Sequence, residues 1–172
     1  MAGGMPVILS RISRADADEL IAANVASRAH HAPWLAPFTD MAGFEEWFAR
    51  RVTGPNVGLL AREKESGGIV GVVNFSEIVL GVFRNAYLGY YGMAAFAGRG
   101  LMTMAVRQAL RYGFDELGLH RVEANIQPGN AASIALVRRI GFRQEGLSPE
   151  YLFINGAWAD CERWALLAPE LP

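Results

Sequence analysis

One cysteine stands in a chain of 172 residues. A single thiol excludes an internal disulfide and a cysteine zinc cluster. Runs of lysine or arginine are missing, and the net charge is −1. Stable binding to nucleic acid, which rests on neutralised phosphates, is disfavoured, though a local patch could still meet a ribosome. No stretch approaches the ~20 apolar residues of a membrane span. Met1 to Arg14 hold only the apolar run Pro6-Val7-Ile8-Leu9, too short for a secretion signal. No His, Cys or acid spacing matches a metal site. Repeats, linkers and low-complexity segments are absent. The expectation is a soluble, cytoplasmic chain forming one domain over residues 1–172. With 52% hydrophobic and 19% charged residues it can bury a real core.

What is present is a pair of glycines at the mouth of a long helix: Gly98-Arg99-Gly100-Leu101-Met102. Glycine turns backbone amides toward a ligand with no Cβ in the way. The first N–H groups of a helix lack internal partners and lie at the positive end of its dipole. Such a mouth suits phosphate or pyrophosphate. It is no Walker loop, which needs Gly-Lys-Ser/Thr. It is no dinucleotide turn either, because Thr103 stands where a third glycine is required.

Periodicity supplies the frame. Val7 to Ser13 reads as a strand, and Asp16 as the cap of a helix running to about Ser27. Arg28 to Thr39 reads as a loop whose His30 and His31 recognise substrate or stand solvated. Asp40 to Arg51 forms a second helix, with Phe44, Trp47 and Phe48 on one face. Asn56 to Arg62, Ile69 to Ile78 and Ala86 to Met93 read as strands. In the helix Gly100 to Leu117, Met102, Ala105, Val106, Ala109, Leu110 and Phe114 share a face. Arg121 to Gln127 alternates, with Glu123, Asn125 and Gln127 on the polar side. Asn130 can cap a helix Ala131 to Ile140, closed by Gly141. Glu150 to Ile154 and Trp158 to Leu167 form a hairpin about Asn155-Gly156.

The C-terminal half resembles the RimJ/RimL-type N-acetyltransferases of the GNAT superfamily, densely from Ala86 to Leu167. The matching segments include Tyr87-Leu88-Gly89-Tyr90, Gly98-Arg99-Gly100-Leu101-Met102, His120-Arg121-Val122-Glu123-Ala124-Asn125, Pro128-Gly129-Asn130-Ala131-Ala132-Ser133 and Gly141-Phe142-Arg143-Gln144-Glu145-Gly146. Glu150-Tyr151-Leu152, Asn155-Gly156 and Trp158-Ala159-Asp160 follow in order. Against the superfamily loop Arg/Gln-x-x-Gly-x-Gly/Ala, Ala97 and Met102 are departures, although Gly-Leu-Met is familiar in this branch. The resemblance implies an α/β (α+β) fold: a mixed, mostly antiparallel sheet of six or seven strands, its central strands splayed, flanked by helices.

It also implies acetyl-CoA as co-substrate and direct attack by an amine, with no metal. Tyr91, Gly92 and Met93 would meet the pantetheine arm, and Gly98, Arg99, Gly100, Leu101 and Met102 the pyrophosphate. Arg99 reads equally as a solvated loop residue. Asn130 would contact the pantetheine, cap its helix, or both. Arg138 and Arg139 could reach the adenosine phosphates, or stand exposed. Ser133 would lie near the sulfur and assist the leaving thiolate. Glu150 is the candidate proton acceptor and Glu123 its reserve. Trp34 and Phe38, with Phe44 and Trp47, border the acceptor or serve as core. Cys161 replaces the His often found after this Asp, and reads as packing. The acceptor is then the N-terminal α-amine of a protein, possibly ribosomal. The alternatives are a small amine (polyamine, amino acid or antibiotic) or a non-catalytic acyl-CoA-binding module. The chain is expected to be a monomer or homodimer.

Overall fold

A computed structural model describes residues 6–172. The reading of a missing leader therefore falls, for residues 1–5, outside the described residues. Strand β1 (Val7–Arg11) leads through a short 3-10 turn into helix α1 (Ala17–Ala26), α2 (Arg28–His31) and α3 (Met41–Arg51). Strands β2 (Val57–Glu63), β3 (Ile69–Val79) and β4 (Asn85–Gly92) follow, then α4 (Leu101–Asp115), β5 (Arg121–Ile126), α5 (Ala131–Ile140), β6 (Arg143–Ile154) and β7 (Ala157–Leu167). No helix among the described residues is long and apolar enough to cross a membrane.

The seven strands form one sheet in the order β1-β2-β3-β4-β5-β7-β6. Every neighbouring pair is antiparallel except β4 and β5. These two run parallel and pair only at Asn85↔Arg121, Ala86↔Val122 and Tyr87↔Glu123. Beyond Tyr87 the strands part, which is the splay that the resemblance implies.

Two apolar layers hold the sheet. On one face α4 and α5 pack Leu101, Ala105, Val106, Ala109, Leu110, Ile134 and Val137 against Leu59, Val73, Phe75, Leu88, Val122, Ala124 and Ile126. On the other, Leu20, Phe44 and Phe48 from α1 and α3 cover Leu60, Ile69 and Val72. Strands β2 and β3 are buried on both faces, which is why they read as apolar runs without alternation.

Several local expectations are corrected. Asp16 stands at the N-cap position of α1 as expected, but its carboxylate makes no capping bond to that helix; it accepts from Ser13 N at 2.8 Å and Ser13 Oγ at 3.0 Å, closing the preceding turn. The supposed loop begins with the four residues of α2, and His31 is buried at 3% exposure. Strand β6 starts at Arg143, seven residues before the expected Glu150. It is an edge strand, and its first half is mostly exposed, so no core-facing pattern announces it. Asp40 and Asn130 do cap their helices, accepting from Gly43 N at 2.8 Å and Ser133 N at 3.2 Å.

Candidate active site

Alternation along β4 sets the geometry. Met93 N donates to Val70 O at 2.8 Å, so the backbone of Met93, and by alternation that of Tyr91, faces β3. The backbone groups of Tyr90 and Gly92 therefore face the gap left by β5. Of the three residues expected to meet a pantetheine arm, Gly92 alone turns its amide to the gap, and Tyr90 joins it. The Tyr91 side chain turns instead to α1 and α2, with His31 edge-on at 5.2 Å between ring centroids. Burial pushes the Tyr91 hydroxyl well above its ordinary range.

The gap is a cleft of about 150 Å³ lined from both sides of the sheet. Leu88, Tyr90, Ala124, Ile126, Asn130 and Ser133 lie toward α5, and Trp34, Asn125 and Gln127 belong to the opposite side. Gln127 Nε2 donates to Trp34 O at 3.1 Å and holds the α2–α3 loop over the cleft. Asn155 at the β6–β7 turn donates to Pro33 O at 2.9 Å and closes the same wall.

Within this cleft the Tyr90 hydroxyl meets Ser133 Oγ at 2.6 Å. Tyr90 is pushed up to about 12 by burial, which outweighs the opposing effect of the Ser133 hydrogen bond. The pair therefore keeps both protons at neutral pH. The sequence did not single out Tyr90. It stands in an aromatic run, and only its placement across from α5 gives it a partner.

At the mouth of α4, Gly98 and Gly100 both have φ of +74°, and no heavy atom lies within 4 Å of where a Cβ would stand. The requirement for glycine there is conformational, and the loop surface is open. Met102 seats this mouth on the sheet: a Cβ on Gly92 would meet Met102 Cγ at 2.8 Å, and one on Gly71 would meet Met102 Sδ at 2.5 Å. Arg99 pairs with Glu63 and lies 5.3 Å over the Phe96 ring. Arg139 reaches Thr103 Oγ1 in the first turn of α4 at 3.5 Å, whereas Arg138 lies over Trp164.

The expected acids stand elsewhere. Glu123 accepts from Arg121 Nε at 2.7 Å and Asn85 Nδ2 at 3.3 Å, on the floor between β4 and β5. Arg121 also pairs with Glu145, and that contact, with burial opposing it and Glu123 reinforcing it, raises the guanidinium further. Glu150 sits on a β6 bulge between Ser148 and Leu152, at φ +46°, with its N–H donating to Asp160 Oδ1 at 2.8 Å. Its neighbour Tyr151 meets Tyr87 of β4, and that contact, with burial, pushes Tyr87 up to about 12. The bulge thus folds over the sheet face that carries Tyr87. The Glu150 carboxylate is exposed and joins none of the ion pairs among the described residues.

Phe38 packs edge-on against Phe44 at 5.4 Å and tilted against Trp47 at 5.0 Å between ring centroids, and belongs to the α3 layer, not to the cleft lining. Cys161 is fully buried, and burial pushes its thiol up. The structure brings together Asn130, Ser133 and Trp34 in the cleft wall, and Gly92 lies beyond it along β4. Phe38, Glu123 and Glu150 are left outside the cleft wall.

A sheet parted between parallel neighbours, with a glycine-rich helix mouth at the end of the strand that leaves the gap, defines the class of fold. The chain belongs to the acetyltransferase (GNAT) domain family, whose model matches residues 7–143. Among curated relatives, it is 43% identical over 108 residues to the ribosomal protein uS5-alanine N-acetyltransferase of Escherichia coli, covering 63% of this chain and 54% of that one. The match thus spans about half the length of that relative. RimJ of Mycobacterium smegmatis, solved in complex with CoA-disulfide, superposes with TM-score 0.84 at 30% identity, over 96% of this chain and 84% of that one. A spermidine N-acetyltransferase of Vibrio cholerae, solved with CoA and spermine, superposes with TM-score 0.81 at 23% identity, over 96% and 97%. At that identity the likeness concerns the fold.

Proposed function

We propose that the chain is an acetyl-CoA-dependent N-acetyltransferase acting on the N-terminal α-amine of a protein, a ribosomal protein being the first candidate. The observation that carries the reading is the Tyr90–Ser133 hydroxyl pair in a cleft lined from both faces of a splayed sheet. The residues present fit the co-substrate. The unpaired edge of β4 at Tyr90 and Gly92 suits an amide-bearing arm, and Gly98 to Met102 suit a pyrophosphate. Arg139 and, once released from Glu63, Arg99 supply positive charge nearby. Asn130 caps α5 and lines the cleft.

Acetyl-CoA, when bound, supplies a thioester whose carbonyl carbon takes the amine's lone pair as the thiolate departs. Ser133 would hydrogen-bond the departing thiolate through its hydroxyl, with Tyr90 donating to Ser133 Oγ behind it; both hydroxyls keep their protons, and the proton taken from the amine leaves to solvent, from which the thiolate is protonated. Glu150 takes the proton of the amine, directly or through water. An α-amine with a pKa near 7.7–8.0 is already about one quarter neutral near pH 7.4, whereas a lysine is neutral in about one part per thousand. A modest, solvated carboxylate suffices for the former. The aliphatic and aromatic wall of Trp34, Leu88 and Ile154 excludes water from the reacting end.

The acceptor-side segment 28–39 contains two histidines and an arginine but no carboxylate. Glu123 pairs with Arg121, and Glu145 is shared between Arg121 and Arg143. Such a wall suits a peptide better than a polyamine, whose several cations need acids. The test is CoA release with an alanine-starting peptide, the same peptide N-terminally blocked but carrying lysine, and spermidine. Turnover of the first alone is expected. Preference for spermidine or for the blocked peptide refutes the α-amine reading.

A further inference from the structure

Six polar residues are buried among the described ones, and three of them share one face of the α1–α2 segment: Asn24, Ser27 and His31, at 1%, 3% and 3% exposure. Their spacing of three and four residues stacks them on one side of a helix. Each is spent on the backbone of another element. Asn24 Nδ2 donates to Phe38 O at 3.0 Å. Ser27 Oγ accepts from Ala94 N at 3.0 Å. His31 Nε2 lies 2.9 Å from Gly92 O. A carbonyl cannot donate, so Nε2 carries the proton and Nδ1 is bare; Nδ1 is buried with no partner. A buried ring that satisfies only one of its nitrogens is a costly way to fill space.

What His31 holds is the gap-facing edge of β4. Its contact to Gly92 O and the bond from Met93 N to Val70 O grip one peptide plane from opposite sides. Ser27 fixes the next amide, that of Ala94. The Gly92 N–H lies on the same edge as its carbonyl, so fixing the latter aims the former into the gap.

We propose that His31, aided by Ser27, is a positioning residue that clamps Gly92 to Ala94 so that the β4 edge is preformed for the acyl donor. The clamp makes α2, at the acceptor side, part of the donor site. This rests on the acyl-CoA reading of the cleft. It concerns affinity for the donor, not the acyl-transfer step, because His31 does not line the cleft.

The test compares wild type with His31→Leu, His31→Gln and Ser27→Ala. The readouts are calorimetric CoA affinity, the KM for acetyl-CoA, kcat at saturation, and exchange of the Met93 and Ala94 amides. Losing one net hydrogen bond from a preformed edge predicts that His31→Leu weakens CoA binding and raises the KM about fivefold to tenfold, with kcat within about twofold. His31→Gln, which keeps a donor at similar reach, restores both to within about twofold. Exchange at Met93 and Ala94 quickens in His31→Leu while β1 and β2 are unchanged. If His31→Leu fails to fold, Ser27→Ala carries the same prediction at Ala94. Wild-type CoA affinity in His31→Leu, or an equal loss in His31→Gln, overturns the clamp alone. A wild type that binds no CoA overturns the acyl-CoA reading and the clamp with it.

Discussion

Tyr90→Phe removes one oxygen from the core of the proposed mechanism and leaves the ring that packs there. The hydroxyl lies 2.6 Å from Ser133 Oγ. Its proton is held by burial, which keeps Tyr90 neutral up to about pH 12. With Tyr90 donating, the Ser133 proton is free to point into the cleft; without it, that proton turns to other acceptors. One such hydrogen bond is worth about 1 kcal/mol, so kcat should fall about fivefold to tenfold with the KM for both substrates nearly unchanged. Ser133→Ala removes the donor itself and should cost up to about 10²-fold. Because the two act in series, Tyr90→Phe should add almost nothing in a Ser133→Ala background. The assay is steady-state CoA release with an alanine-starting peptide for all four members of the cycle. Independent, multiplicative losses would refute the series arrangement, and unchanged kcat in Tyr90→Phe would remove the tyrosine from the chemistry. The same group gives a stability check. Its folded pKa lies above 10.0, so its contribution is complete below pH 10 and is lost as pH rises toward about 12. Two units amount to about 2–3 kcal/mol, and Tyr90→Phe should flatten that alkaline decline in urea midpoints.

Gly100→Ala should cost about 1 kcal/mol in stability through its positive φ alone, since no atom crowds the site. Gly100→Asp should in addition weaken CoA binding about tenfold or more by calorimetry, and unchanged affinity would displace the pyrophosphate from this loop. Glu150→Gln should lose more activity at about pH 7 than at about pH 9, where the amine is already neutral; a deficit independent of pH would mean that Glu150 positions substrate instead. His31 is depressed below 6.5, chiefly by burial. Its contribution to stability is therefore present above pH 6.5 and lost as pH falls below it, and His31→Gln should flatten that acid limb in thermal melts.

Helix α5 was legible to the residue, because Asn130 and Gly141 mark its ends with side-chain and backbone chemistry that operates locally. The glycine pair before α4 was legible for the same reason. Strand β6 was not: an edge strand with a solvated half carries no apolar alternation to read. His31 escaped because Asn24, Ser27 and His31 form a polar stripe, and a polar stripe reads as the wet side of a helix. Only the backbone groups of β4 and of the loop at Phe38, remote in sequence, turn that stripe inward. Tyr90 escaped because its partner lies 43 residues away on another element.

The slit between β4 and β5 is lined by residues from both faces of the sheet. Under the proposed reading, the thioester meets this slit from one face and the amine from the other. The space there is small, about 150 Å³. Only the first residue of a polypeptide needs to reach inside, while a folded body of any size stays on the threshold. The parting of β4 from β5 after Tyr87 is built into the strand register.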